Sequence, residues 1–219
     1  MRVFVLSPGR CGSTTFSRGC EHLTNFTTAH ESNRGLIPPD HLDYPDGHIE
    51  VDNRLSWFLG PLAERHPDAR YVHLHRNPDE VTASYLKRWP ADPRRIDARR
   101  HPVRRLRQVI RPQWNPGTRP GNGITAAFAY PLMARADPWP EGDRATVVRY
   151  YVDTVNANIA HFLRDKPSMN VAIESLDEDF EQFWEWIGGE GDRDAARRTL
   201  GERHNRAGFP APHKPRSSR

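Results

Sequence analysis

The stretch Ser7-Pro8-Gly9-Arg10-Cys11-Gly12-Ser13-Thr14-Thr15 carries the residue types that hold an anion. Two glycines let backbone N–H groups turn inward, Arg10 supplies a guanidinium, and three hydroxyls follow in a row. The apolar burst Val3-Phe4-Val5-Leu6 ahead of it reads as a buried strand, and a helix is expected over 13–23. That order places the polar groups at the positive end of a helix dipole, where phosphate binds. The expected ligand is therefore phosphorylated.

A nucleoside-triphosphate loop of the form G-x-x-x-x-G-K-[ST] needs a lysine ahead of its hydroxyl residue. Here Gly9 and Gly12 stand too close, and the cation is Arg10, before the second glycine. Arginine holds phosphate or sulfate through two parallel hydrogen bonds. A second grip is legible further on. The strand-like run Tyr71-Val72-His73-Leu74-His75 ends in Arg76, Pro78 suits a first helical turn, and Ser84 follows eight residues after the arginine. Arg76 at the strand tip and Ser84 on the helix can hold one anion from two sides.

Together the two motifs resemble those of the PAPS-dependent sulfotransferases. The resemblance implies that Gly9, Arg10, Cys11, Gly12, Ser13, Thr14 and Thr15 bind the 5′-phosphosulfate, and that Arg76 and Ser84 bind the 3′-phosphate. Val171-Ala172-Ile173-Glu174-Ser175-Leu176 is a softer match to the family's late strand and turn, with Glu174 at the acidic position. An arginine at position 10 is similar to the tyrosylprotein and carbohydrate enzymes. The implied fold is P-loop-like and three-layered. The implied donor is PAPS, with no metal, and the implied partner is a hydroxyl-bearing acceptor. The family's catalytic glutamate lies at a similar distance after the loop cation, which makes Glu31 the expected base beside Arg10, with His30 as its rival. The structural alternative is that Glu31 caps the next helix and His30 packs against the core. Two other functions stay open. A P-loop-type nucleotide kinase lacks its lysine, and an Arg-rich nucleic-acid-binding module lacks interleaved aromatics.

The elements that must position these residues follow from periodicity. Strands are expected at 3–6, 25–28, 48–51, 70–75 and 170–173. Helices are expected at 13–23, 53–65, 78–87, 144–163, 177–187 and 192–202, with Asn53, Asp177 and Asp192 as caps. Strands alternating with helices give an α/β fold with a central, mostly parallel sheet, whose ligands sit beyond the strands' carboxyl ends. The strand ending near His30 is expected beside the first loop. A single domain is expected over 1–208, with an Arg- and Pro-rich insert or lid at 88–124 and a basic, flexible tail at 209–219.

Composition narrows the setting. The chain has 219 residues, 36% hydrophobic, with 20 prolines and a net charge of +4. Ten Lys and Arg fall between Lys87 and Arg111, and five more between Arg203 and Arg219, so the remainder is net acidic. Such local basicity suits specific anionic ligands, an anionic acceptor among them, more than nucleic acid at large. No apolar run reaches the length of a membrane span, and the first is too short for a signal peptide, so a cytoplasmic protein is expected. Cys11 and Cys20 are the only cysteines and read as reduced thiols. Cys11 reads as a small loop residue, with an activated thiol as the alternative.

Overall fold

The computed structural model describes residues 1–33, 36, 39–88 and 141–201. Residues 89–124 of the expected insert and the basic stretch 203–219, tail included, lie outside the described residues. The described elements are β1 (Arg2–Leu6), α1 (Ser13–Cys20), β2 (Thr27–His30), β3 (His48–Val51), α2 (Leu59–Arg65), β4 (Arg70–His75) and α3 (Pro78–Arg88). They continue with α4 (Glu141–Phe162), β5 (Ser168–Ala172), α5 (Leu176–Ile187) and α6 (Arg193–Gly201). None of the described helices is long and apolar enough to cross a membrane.

The five strands form one parallel sheet in the order β2-β3-β1-β4-β5. Strand β3 therefore lies between β1 and β2, which corrects the expectation that β2 neighbours the first loop directly. Register shows how the faces are used. Val3, Ile49 and Thr28 are partners across β1, β3 and β2, and Thr28 Oγ1 donates to Cys20 O of α1. Phe4 pairs with Glu50 and Tyr71, and Tyr71 meets Phe162 of α4 edge-on at 5.2 Å. Strand alternation puts these two sets on opposite faces, so α1 and α4 cover opposite sides of the sheet.

The core on the α1 side is aromatic. Phe16 is fully buried, with its ring centroid 4.9 Å from Phe183 and 5.4 Å from Phe180 of α5. Phe16→Ala should cost about 3–5 kcal/mol through lost burial and a cavity, read as a lowered midpoint in urea unfolding.

Several boundaries differ from the periodicity reading. Strand β2 starts at Thr27 rather than 25, because Thr24 and Asn25 spend their polar groups on the turn after α5. The helix expected at 53–65 is split into a 3-10 turn, Asn53–Trp57, and α2. Pro61 has no N–H to continue one helix through Trp57. The cap there is Asp52, which accepts from Arg54 N at 2.8 Å, not Asn53. Asp177 is not a cap either; Asp179 reaches back to accept from Ala172 N and the Ser175 hydroxyl. Asp192 does cap α6, accepting from Ala195 N at 2.8 Å.

Candidate functional site

Strand β1 sends the chain through α1 to one side of the sheet, and β4 sends it toward β5 on the other. Neighbouring strands that diverge in this way open a crevice at their carboxyl ends. The loop 7–12 after β1 and residues 76–77 after β4 line that crevice.

The first loop turns through three residues in the left-handed region: Gly9 at φ +87°, Arg10 at φ +62° and Gly12 at φ +83°. A Cβ at Gly9 would run into the Tyr85 hydroxyl, and one at Gly12 into the end of the Ile173 side chain, so both left-handed positions favour glycine and are closely packed. Three hydroxyls clamp the loop's carbonyls. Ser56 donates to Ser7 O at 3.1 Å, Tyr151 donates to Pro8 O at 2.9 Å, and Tyr85 donates to the same oxygen. Burial pushes the Tyr151 phenol up to about 12 and the Tyr85 phenol well above its ordinary value, so both stay donors.

Helix α1 begins at Ser13 with Gly12 as its N-cap and no side-chain cap. Its first N–H groups face the loop. Ser13 and Thr14 lie half-buried at the rim, while Thr15 is buried. His30 Nε2 sits 3.1 Å from Ser13 Oγ, so the end of β2 reaches the loop across α1 although β3 intervenes in the sheet.

The two expected anion grips meet. Arg10 Nε donates to Ser84 Oγ at 3.0 Å, joining the first loop to the second turn of α3. As acceptor in that bond, Ser84 keeps its own O–H to donate. Cys11 joins the same cluster, with the Arg76 backbone hydrogen-bonded to its sulfur. Arg76 itself pairs with Glu80 one turn along α3. Such an exposed pair contributes only about 0.3–0.5 kcal/mol. Glu174 accepts from Asn77 N at 2.7 Å and ties the turn after β5 to the same edge.

Cys11 is fully buried, and burial pushes its thiol up to about 12 against the opposing pull of the Arg76 and Arg10 charges. Full burial of Cys11 favours the small-loop-residue reading over the activated thiol. Neither Cys11 nor Cys20 should take up iodoacetamide in the native protein, and both should do so after denaturation, as followed by mass spectrometry.

Glu31 is not an ordinary strand residue. Its φ is +53°, and its N–H donates to Val51 O at 3.2 Å. The alternation expected of an extended chain therefore ends at His30. Among the described residues, Arg10 and Glu31 are the two non-glycine residues in the left-handed region. Each such conformation costs about 1–3 kcal/mol and persists where the surroundings overdetermine it, commonly at functional sites. The Glu31 charge acts on Asp52 and Arg54, a pair at the carboxyl end of β3 in which Asp52 is buried and Arg54 partly so. Arg54 Nε donates to both Asp52 oxygens, at 2.8 and 3.0 Å. Burial pushes the Asp52 carboxyl up, against the pull of Arg54.

The sequence places Asp52, Asn53 and Arg54 just after the third strand, at the sheet's carboxyl edge, as substrate contacts or caps; it does not reveal the Asp52–Arg54 pairing, the Tyr85 and Tyr151 clamps, or Glu50. The usable signals were slight: a charge inside the buried run His48–Val51, and tyrosines within apolar helix stripes. Comparison with family models, with curated proteins and with solved structures finds no match to this chain.

Proposed function

We propose that this protein is a PAPS-dependent sulfotransferase on a P-loop-like fold, acting on a hydroxyl acceptor. The observation that carries the reading is the Arg10–Ser84 hydrogen bond, which unites two anion-binding motifs in one crevice. The donor set suits a ligand phosphorylated at both ends. The uncapped start of α1, Ser13, Thr14 and Arg10 make one anion site. Arg76 and Ser84 make the other.

When bound, PAPS supplies the sulfuryl group that passes to the acceptor oxygen, leaving PAP. Arg10 and the loop N–H groups neutralise charge that develops on the departing phosphate oxygen. Glu31 takes the proton of the acceptor hydroxyl as the new S–O bond forms. The clamped loop, held by Ser56, Tyr85 and Tyr151, keeps those groups in place before the ligand arrives.

Isothermal titration with PAP tests the reading, and binding at tens of micromolar or tighter is expected. A folded protein that does not bind PAP overturns it. Arg76→Ala should weaken PAP about 10- to 100-fold, the loss of charged hydrogen bonds to phosphate, while turnover at saturating PAPS changes little.

A further inference from the structure

Glu50 is wholly buried in the middle of β3, between Ile49 and Val51. A carboxylate in such a place is costly unless its oxygens find donors. They do. Ser32 N–H reaches Oε1 at 2.9 Å, the Ser32 hydroxyl donates to Oε2, and His48 Nε2 lies 3.1 Å from Oε2. His48 Nδ1 in turn lies 2.8 Å from Thr27 Oγ1, and the Tyr44 ring stacks on the imidazole.

The register makes this cluster more than a core detail. Glu50 pairs with Ala29, two residues before Glu31. Strand β3 therefore grips the exit of β2 at two successive points. Val51 O takes the Glu31 N–H, and the Glu50 carboxylate takes both the N–H and the O–H of Ser32. Glu31 lies between these grips at φ +53°. An extended residue 31 would carry Ser32 about 3.3 Å forward along the strand direction, away from Glu50. Stability alone does not call for a carboxylate here, because apolar residues of similar volume commonly serve a buried position as well or better.

We infer that Glu50 is a positioning residue: its carboxylate pins Ser32 and so holds Glu31 in the left-handed conformation beside Arg54. The inference rests on the reading of Glu31 as the base, and it adds the device that keeps that base in place.

Glu50→Gln and Glu50→Met separate hydrogen bonding from volume. Glutamine can accept from Ser32 N and donate to Ser32 Oγ, with His48 changing tautomer to suit. Methionine fills the space and can do neither. Crystal structures would give φ at residue 31, titration would give PAP affinity, and release of labelled sulfate from PAPS to water would give kcat and KM. Both variants are expected to bind PAP within about twofold of the parent. Glu50→Gln should keep kcat within about threefold and leave residue 31 left-handed. Glu50→Met should lose about 100-fold in kcat with KM unchanged, and residue 31 should leave that region.

The inference is overturned if Glu50→Met keeps its kcat or its φ, or if Glu50→Gln falls as far as Glu50→Met. Ser32→Pro, at an exposed position, provides the same test from the other side of the contact and leaves the Glu50 side chain itself unchanged. It removes both Ser32 donors and disfavours a helical conformation at residue 31. A parental kcat in Ser32→Pro overturns the inference equally. Should the parent protein neither bind PAP nor release sulfate, the sulfotransferase reading falls instead, and the φ comparison still decides whether Glu50 holds residue 31.

Discussion

Arg10→Ala should lower the turnover of PAPS by about 100- to 1,000-fold, the range for removing one group that stabilises developing charge in a transition state. Arg10 is fixed on two counts. Its backbone is held at φ +62°, and its Nε is bonded to Ser84. Lysine carries the charge but not the fork, so Arg10→Lys should recover only part of the loss. Arg10→Gly separates catalysis from stability. Glycine takes a positive φ without strain, so this variant should melt no lower than the parent while losing turnover as fully as Arg10→Ala. Thermal melts beside single-turnover kinetics on the three variants would show it. An Arg10→Gly protein that still turns over PAPS at the parental rate removes Arg10 from the chemistry.

Glu31→Ala should lower turnover by about 100- to 10,000-fold, as expected for loss of a general base. PAP affinity should stay within about twofold, because Glu31 sits at the end of β2 beside Arg54 and not within the loop proposed to hold phosphate. His30→Ala is the necessary partner measurement. His30 bonds Ser13, so its loss should loosen the loop and weaken PAP binding before it slows transfer. If instead His30→Ala abolishes turnover and Glu31→Ala does not, the base is His30. PAPS saturation curves on both variants, with PAP titrations alongside, separate the two roles.

The strands at 48–51 and 70–75 were legible end to end, because each is a short apolar burst bounded by turn-forming residues. The turn at 7–12 between β1 and α1 was legible as a candidate anion loop. Glycines, a cation and hydroxyls between a strand and a helix have few other uses. Where boundaries differ, a polar contact distant in sequence or a proline overrides the pattern. Thr24 and Asn25 bond the turn after α5 and delay β2, and Pro61 divides a continuous apolar helix face.

The amino-acid sequence alone determined which residues could grip an anion, and that a parallel α/β sheet would present them at strand ends. Those conclusions rest on short-range chemistry: residue type, spacing and periodicity. Strand order, the meeting of Arg10 with Ser84 and the turn at Glu31 were decided only by tertiary structure. Each depends on residues far apart in the chain. Placing β3 between β1 and β2 gives residues 31 and 32 the carbonyl of Val51 and the carboxylate of Glu50 as partners, and no local pattern encodes that pairing.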